Sequence, residues 1–428
     1  MRRGAEGHGV DSESKVFAKA AWRLVPFMGL LYVASFLDRV NVGFAALSMN
    51  KDLGFNPEVY GFGAGIFFFG YFLFEAPSNM ILERVGARLW IFRIMLTWGI
   101  ISAATAFVSG RNSFYAMRFL LGLAEAGFFP GMVLYLTYWF PSSMRARFIA
   151  MFLAAVPLSS VIGAPVSGFI LGLGEFGGLR NWQWLFLLEG VPASLLAFAV
   201  LALLPDKPAK ASWLSDEEKA LIAARLAAEP AATHQHLVPM LKDARVWLLA
   251  VPDFGIVIGL YGVTLWLPQI VKGLGFSDVE TGFVVAAPYI VSMIAMVALG
   301  HSSDMRGERV WHIAIAAFVG TAGFLAAAWL QESMWSLAAL TVAAAAVYAA
   351  LSVFWALPPS FLGGTAAAAG IGLINSIANL GGFFGPVMLG WFKTETGGYA
   401  GGMVALAAML AAAGVIVLAL GRRLETRA

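Results

Sequence analysis

Residues 26–47 read PFMGLLYVASFLDRVNVGFAAL, an apolar stretch long enough to cross a lipid bilayer as a helix. Asp38 and Arg39 lie near its middle, where an ionised side chain costs on the order of 2.5–3.5 kcal/mol. Charged residues at this depth typically serve a transport or proton pathway, and the alternative is an ion pair that holds the helix in its bundle. Because neighbouring side chains on a helix point about 100° apart, we expect Asp38 and Arg39 to face different surroundings and to have different roles.

The composition of the whole chain indicates a membrane protein with many spans. Of its 428 residues, 60% are hydrophobic and only 12% are charged, which lies outside the range of soluble proteins. The net charge of +3 does not indicate a nucleic-acid partner, because the basic residues are scattered in short clusters between apolar runs. Without cysteine the chain forms no disulfide and has no thiol nucleophile. The first 20 residues lack an apolar segment with a cleavage site, so we expect no signal peptide to be removed.

Apolar runs of the length that a membrane span requires occur about twelve times along the chain. They cover roughly residues 24–48, 58–80, 89–109, 113–139, 147–173, 183–205, 246–271, 281–301, 310–329, 334–357, 367–391 and 399–420. A long polar segment at 206–245 separates the first six runs from the last six. We therefore predict an all-α membrane protein with twelve transmembrane helices. Two pseudo-symmetric six-helix bundles occupy residues 24–205 and 246–421, and residues 1–23 and 422–428 form the tails.

The polar segment between the two predicted bundles contains a signal for a short helix. Ser215 followed by Glu218 is a capping-box pattern, in which each side chain bonds the backbone N–H of the other residue. The sequence that follows is rich in Ala, Leu, Glu and Lys and should be helical until shortly before Pro230. We therefore predict a linker that carries one short helix.

Lysine and arginine are distributed unequally between the two sides of the predicted membrane protein. The segments on the side of the termini hold 21 of the 28 basic residues, and the opposite side holds 5. By the positive-inside rule, both termini and the linker are predicted to be cytoplasmic. The two remaining basic residues, Arg39 and Arg118, lie inside spans.

A repeated motif supports the division into two halves. NMILERVGAR at 79–88 follows the second span of the first half, and GHSSDMRGER at 300–309 follows the second span of the second half. In each motif an acid at the end of a helix stands beside a tight turn with arginine, which can pair with neighbouring helix ends and lock one conformation. The predicted gating residues are Glu83, Arg84, Arg88, Asp304 and Arg309.

Twelve spans in two sets of six, the long central loop and the paired motif resemble the major facilitator superfamily, over essentially the whole chain. Five stretches are similar to its anion:cation symporter branch, which includes bacterial permeases for tartrate, sugar acids, phthalate and hydroxyphenylacetate. They are FLDRVNVGFA (36–45), GYFLFEAPSNMILERVGAR (70–88), RFLLGLAEAGFFPG (118–131), WLSDEE (213–218) and YGVTLWLPQI (261–270). Asn79 replaces the glycine that usually begins the superfamily's loop motif, and Glu83 replaces its aspartate. Both replacements are common in the anion branch.

Ionisable residues within the spans are concentrated in the first half of the chain. They are Asp38, Arg39, Glu75, Arg118, Glu125 and Glu189, whereas the second half has only Asp253. Arg118 and Glu125 are seven residues apart, so they share a helix face about 10 Å apart along the axis. A permanently charged guanidinium suits Arg39 as an anchor for a substrate carboxylate, and carboxylates suit Asp38 and Glu125 as proton carriers.

The resemblance implies the same roles at the matching positions. It implies that Arg39 contacts the substrate carboxylate, that Asp38 and Glu125 take part in proton coupling with support from Arg118, and that Tyr71 lies in the cavity. Matching polar candidates for substrate binding in the second half are Tyr261, Gln269, Ser352, Trp355, Asn375 and Asn379. Each of them has the alternative role of hydrogen bonding between helices. We expect Glu75 and Glu189 to form structural pairs.

These observations predict a secondary active transporter that imports an organic anion by proton symport through alternating access, in a bacterial inner membrane. The expected partners are a small organic anion such as a sugar acid, tartrate or an aromatic acid, a proton in preference to Na⁺, and the lipid bilayer. No cofactor, metal or nucleic acid is expected, and a monomer is the default.

Three other functions are alternatives to this prediction. A drug or metabolite exporter of the same superfamily would have no use for Arg39 if its substrate were cationic or neutral. A channel would show rings of repeated polar residues. An intramembrane enzyme would need a nucleophile with a base, or a metal cluster at depth, and the only span histidines, His301 and His312, lie near a membrane surface.

Overall fold

The computed structural model describes residues 2–229, 242–331, 333–358 and 366–425. Part of the predicted linker, including Pro230, and the end of the predicted C-terminal tail therefore lie outside the described residues. The helices are α1 (Arg2–Leu53), α2 (Pro57–Val85), α3 (Ala87–Ala104), α4 (Arg111–Glu125), α5 (Phe128–Thr137), α6 (Ser142–Gly172), α7 (Asn181–Leu203), α8 (Asp216–Ala227), α9 (Ala244–Gly273), α10 (Asp278–Arg306), α11 (Val310–Leu330), α12 (Met334–Phe354), α13 (Ala366–Asn379), α14 (Gly381–Thr396) and α15 (Ala400–Glu425).

Twelve stretches of helix among the described residues are long and apolar enough to cross a membrane. This confirms the predicted fold class, an all-α membrane protein with twelve spans. The fourth span consists of α4 and α5, and the eleventh consists of α13 and α14. We call the side of the bundle with the chain termini and the linker the termini face, and the other side the far face.

The break between α4 and α5 follows from one glycine. Gly127 has a φ of +84°, in the left-handed region that side chains rarely adopt. A Cβ at this position would also lie 2.2 Å from the hydroxyl oxygen of Ser78 in α2. The helix therefore ends at Glu125 and restarts at Phe128, so that the Glu125 side chain is presented from a helix terminus deep inside the bundle.

The two halves touch closely through small residues near the far face. Helix α2 packs on α14, where a Cβ at Gly61 would lie 2.5 Å from the carbonyl oxygen of Pro386. Helix α6 packs on α10, where a Cβ at Gly282 would lie 2.5 Å from the carbonyl oxygen of Ala164. Helices without side chains at the contact approach until their backbones meet. These two contacts therefore close the gap between the halves on the far side.

Helix α1 begins at Arg2, so the predicted N-terminal tail continues the first span as a helix. The linker helix α8 lies against it, and Lys19 donates to both carboxylate oxygens of Glu218 at 2.9 and 2.8 Å. The hydrogen bond from Lys19 lowers the pKa of Glu218. The predicted capping box is confirmed, because Ser215 Oγ accepts from the Glu218 N–H and Glu218 Oε2 accepts from the Ser215 N–H. The linker helix is thereby fixed to the first half.

Candidate functional site

Arg39 lies at the centre of the molecule and connects the two halves. Its Nε donates to Glu125 Oε1 at 3.2 Å, and its Nη2 binds the same oxygen. Its Nη1 donates to the Tyr261 hydroxyl of α9 at 2.9 Å. The Arg39 side chain is only 9% exposed and that of Glu125 is fully buried. One guanidinium thus joins α1 and α4 of the first half to a neutral hydroxyl of the second half.

Aromatic rings surround this guanidinium. The ring centroids of Phe36, Phe67 and Tyr71 lie 5.9, 5.4 and 5.3 Å from Arg39 Cζ. Cations are attracted to ring faces at such distances, and the attraction grows when water is excluded. The rings therefore fix the plane of the guanidinium and leave its edges for hydrogen bonds to oxygen.

Asp38 faces the opposite side of α1. Its carboxylate accepts from Trp98 Nε1 and from Ser102 Oγ of α3, both at 2.7 Å, and from Asn41 Nδ2 at 3.4 Å. The residue is fully buried. Asp38 and Arg39 therefore have different neighbours, as the helical spacing predicted. The Asp38 carboxylate lies between α1 and α3, where Trp98 and Ser102 bind it.

Arg118 is a second buried guanidinium beside this pair. Its Nη2 donates to the backbone carbonyl of Arg39 at 3.3 Å, and its Cζ lies 5.1 Å from the ring centroid of Phe67. Within the described part of the chain, Arg118 Nε and Nη1 have no hydrogen-bond partner. Arg118 therefore contributes positive charge next to the Arg39–Glu125 pair without binding Glu125 directly.

Asn375 of the second half binds a carboxylate that we expected to be structural. Its Nδ2 donates to Glu75 Oε1 at 2.9 Å, and the neighbouring Ser376 Oγ donates to Glu75 Oε2 at 2.7 Å. Glu75 belongs to α2, so these bonds cross between the halves. Asp253, the ionisable residue that the sequence places within a span of the second half, is fully buried, and neither of its oxygens has a partner among the described residues.

Other predicted residues of the second half have partners away from Arg39. Ser352 Oγ donates to the carbonyl oxygens of Ala349 and Met296, at 2.8 and 3.4 Å, and so joins α12 to α10. Trp355 packs edge-on against Phe354, with ring centroids 5.8 Å apart. Asn379 is the last residue of α13 and is partly buried.

Gln269 lies nearer the far face than the other predicted residues. It is eight residues beyond Tyr261 on α9, or about 12 Å along the helix axis. Its Oε1 accepts from Asn50 Nδ2 of α1 at 3.2 Å. It also lines a cavity of about 400 Å³ together with Lys393 and Tyr399. The structure therefore places Gln269 apart from the Arg39 site.

The two gating motifs make different contacts at the termini face. The Arg88 N–H donates to Asp206 Oδ1 at 3.2 Å, and its guanidinium binds the carbonyl oxygen of Leu201 at the end of α7. Asp304 pairs with Arg309 of its own motif at 2.6 Å. Glu83 and Arg84 are exposed on this face. The first motif is thus tied to the start of the linker, and the second closes on itself.

Sequence reasoning missed several residues that shape the site. They are Ser35, which donates to Glu125 at 2.8 Å, the ring residues Phe36 and Phe67, the Asp38 partners Trp98 and Ser102, and the Glu75 partner Ser376. Helical spacing carried a signal for some of them. Phe67 and Tyr71 are four residues apart, as are Trp98 and Ser102, so each pair shares a helix face.

Known proteins resemble this chain along most of its length. A family model described as Major Facilitator Superfamily matches residues 28–386. The chain belongs to the Major Facilitator Superfamily. The predicted resemblance to the superfamily is confirmed, and the chain is a multi-pass membrane transporter rather than an enzyme. Its relatives in the superfamily include a protein of Agrobacterium vitis named for tartrate transport, which is 49% identical over 96% of both chains.

Two further members of the superfamily extend this comparison. A quinolone resistance transporter of Acinetobacter baumannii is 41% identical over 94% of both chains. The crystal structure of a bacterial homologue of the human lysosomal transporter Spinster superimposes with a TM-score of 0.77, at 17% identity, over 96% of this chain and 97% of that one. At that identity the superposition establishes the shared fold and nothing about the substrate.

Proposed function

We propose that this superfamily member imports a small organic anion together with protons, and that Arg39 is the anchor for the carboxylate of the substrate. The observation that carries the proposal is the Arg39 guanidinium, held by aromatic rings between the two halves with its edges directed at oxygen atoms. A planar guanidinium binds a carboxylate through two parallel hydrogen bonds. The relative named for tartrate transport supports an organic acid as substrate.

Charge balance around Arg39 provides a reason for proton coupling. Arg39 and Arg118 carry two positive charges, and ionised Asp38 and Glu125 carry two negative ones. A substrate carboxylate would add an unbalanced charge in a site shielded from water, where charge interactions are strong. A proton that binds with the substrate removes this imbalance. We therefore assign the proton to the acids of this cluster.

Glu125 is the first proton carrier in this scheme, because it occupies the hydrogen-bonding edge of Arg39 that a substrate would use. Protonation of Glu125 removes its charge and weakens its hold on Arg39, so the substrate carboxylate takes its place. Loss of the proton on the other side of the membrane reverses the exchange. Asp38, held behind α1 by Trp98 and Ser102, is the second carrier.

Transport then proceeds as the two halves rock about this central site, which is the mode that the repeat architecture of such transporters supports. The excess of basic residues on the termini face, 21 against 5, orients that face toward the cytoplasm. Because cytoplasmic pH exceeds that of the outside of a respiring bacterium, deprotonation and release occur at the termini face. The bacterial inner membrane is the location that follows.

Uptake into proteoliposomes tests the proposal. The purified protein is reconstituted, an inward proton gradient is imposed, and labelled tartrate, gluconate and an aromatic acid are offered. We expect at least one acid to accumulate and a protonophore to abolish the accumulation. Uptake that requires Na⁺ and ignores pH would contradict proton coupling.

Export of drugs is a second candidate, and the relative named for quinolone resistance is the observation that favours it. The same proteoliposomes distinguish the two functions if a labelled quinolone is also offered. Proton-driven transport of the quinolone without uptake of any acid would contradict the import of organic anions and support drug export.

A further inference from the structure

Glu75 holds a position that the proposed transport mechanism does not yet use. Its side chain is buried, and the residue is only 4% exposed. Both carboxylate oxygens accept short hydrogen bonds from neutral donors of the other half, Asn375 Nδ2 and Ser376 Oγ. A carboxylate buried among neutral groups is costly unless hydrogen bonds compensate for the lost water. Glu75 therefore depends on the second half for its stability in this site.

The contact of Glu75 with α13 lies at a different depth in the membrane from the other hydrogen bonds between the halves. Helix α2 runs from the far face to the termini face. Along it, Tyr60 lies nearest the far face, Tyr71 lies at the Arg39 site, and Glu75 lies nearest the termini face. Tyr60 binds the carbonyl oxygen of Leu265 at 2.6 Å on the far side. Glu75 and α13 thus meet between the central site and the termini face, and this contact must open when the halves separate there.

Two carboxylates of the first half occupy groups that we assign to the substrate. Glu125 binds Arg39, which anchors the substrate carboxylate. Glu75 binds Asn375, a predicted substrate residue, and Ser376 beside it. Because both donors hold oxygen atoms of Glu75, they suit an oxygen-rich part of a substrate equally well.

We propose that Glu75 is an internal competitor of the substrate, and that it competes for Asn375 and Ser376 with the second oxygen-bearing group of an acid. When the site is empty, the Glu75 carboxylate holds Asn375 and Ser376. A substrate whose carboxylate binds Arg39 replaces Glu75 on these two groups with its hydroxyls or its second carboxylate. When the substrate leaves, Glu75 returns and assists release. This inference rests on the proposed function, because it takes Arg39 as the anchor.

Pairs of acids that differ only in their oxygen-rich end test this competition. Gluconate is compared with hexanoate, and tartrate with butyrate, by calorimetric measurement of Kd on the purified full-length protein. Glu75→Ala removes the competitor, so gluconate and tartrate should bind about fivefold tighter, the factor that corresponds to the loss of roughly 1 kcal/mol of competing hydrogen bonds. Hexanoate and butyrate do not need to displace Glu75, so their Kd values should change less than those of gluconate and tartrate.

Three further variants keep this test informative. Glu75→Gln preserves the shape and should give a smaller gain of the same sign, which protects the test if Glu75→Ala does not fold. Glu189→Gln is the matched control, since Glu189 accepts from Ser167 within the first half, and it should leave the ratio of the two Kd values unchanged. In the Glu75→Ala background, where the competitor is absent, Ser376→Ala should weaken gluconate and not hexanoate. In uptake, Glu75→Ala should lower both KM and kcat for gluconate, because tighter binding slows release.

Two results would overturn the competition. One is weaker binding of gluconate to Glu75→Ala, and the other is an equal change for gluconate and hexanoate, which would indicate a structural role. The same measurements distinguish failure of this competition from failure of the proposed function. If the wild type binds acids and Arg39→Lys removes the binding while Glu75→Ala changes nothing, only the competition is refuted. If the wild type binds none of the four acids, both are refuted.

Discussion

At the scale of single residues, Arg39 is the group on which the site depends. Four different kinds of contact converge on it: an acid, a phenol hydroxyl, aromatic ring faces, and the carbonyl bond from Arg118 to its backbone. Lysine would keep the charge and lose the planar fork that fits a carboxylate. The identity of the cation therefore matters as much as its charge.

Arg39→Lys should weaken substrate binding about 10- to 100-fold, because a hydrogen bond to a charged group is worth roughly 1.5–3 kcal/mol. Calorimetric titration of the purified variant measures the effect. Arg111→Lys, an exposed arginine at the start of α4, serves as the control and should bind normally. An unchanged Kd for Arg39→Lys would remove Arg39 from the role of anchor.

Glu125→Gln should abolish proton-driven accumulation and leave exchange of labelled for unlabelled substrate measurable, because the amide keeps the shape and cannot carry a proton. The measurement compares uptake under a proton gradient with counterflow at equal pH. Asp38→Asn should behave in the same way if Asp38 is the second carrier. Concentration of substrate by Glu125→Gln under an inward proton gradient would contradict the coupling scheme.

The sequence predicted which ionisable residues lie in the membrane and that Asp38 and Arg39 face different ways, because charge cost and helical spacing are local properties. It could not show that Asp38 faces Trp98 or that Glu75 reaches Asn375. Those contacts join helices 60 and 300 residues apart in sequence and depend on how the helices pack. Gln269 illustrates the same limit, since a polar residue on the correct helix lies about two turns from the site.

At the scale of helices, the interruption of the fourth span places Glu125. The first helix of this span ends at Glu125 and the second begins at Phe128. The break depends on Gly127, which combines a left-handed backbone with a close approach to α2. The length of the apolar run predicted the extent of this span correctly, and the break was not predicted because glycines are frequent in membrane helices without ending them.

Gly127→Ala should destabilise the protein by more than about 1 kcal/mol, since alanine is strained at positive φ and its Cβ would meet the Ser78 hydroxyl at 2.2 Å. A thermal melt of the purified protein measures the loss. Gly110→Ala is the matched control, because Gly110 has an extended backbone and an added Cβ would have nothing within 4 Å. Equal melting temperatures for the two variants would show that the break tolerates a side chain.

Arg88→Ala should slow the exchange between conformations more than it weakens binding. The guanidinium ties the turn between α2 and α3 to the carbonyl oxygen of Leu201 at the termini face, and alanine keeps only the backbone N–H bond to Asp206. Turnover in counterflow should fall several-fold while Kd stays within twofold. If the variant binds substrate tenfold more weakly and cycles normally, Arg88 belongs to the site instead.

At the scale of the whole molecule, glycine contacts hold the halves together near the far face. Gly61 meets Pro386, and Gly282 meets Ala164, through backbone atoms. The sequence predicted two sets of six spans from run lengths and a repeated motif. It did not predict which helices of the two sets touch, because apolar faces look alike whether they meet lipid or protein.

Gly61→Ala should force α2 and α14 apart and favour a conformation that is open at the far face. The natural absence of cysteine makes a single probe possible: Thr264→Cys places a thiol at a buried site of α9 between the halves. A membrane-impermeant thiol reagent should label it several-fold faster in the Gly61→Ala background. Gly29→Ala, with nothing within 4 Å, should leave the rate unchanged, and equal rates in both backgrounds would refute the closure.

The site draws its charges from one half, and the neutral groups that reach them from across the boundary belong to the other. Arg39, Glu125 and Asp38 belong to the first half, whereas Tyr261, Asn375 and Ser376 belong to the second. If the proposed function holds, proton coupling and substrate selectivity are encoded in separate stretches of the gene. Random mutagenesis can be restricted to the stretch that encodes the second half, followed by selection for growth on organic acids that the wild type does not transport. The selected variants should accept new substrates and remain coupled to protons.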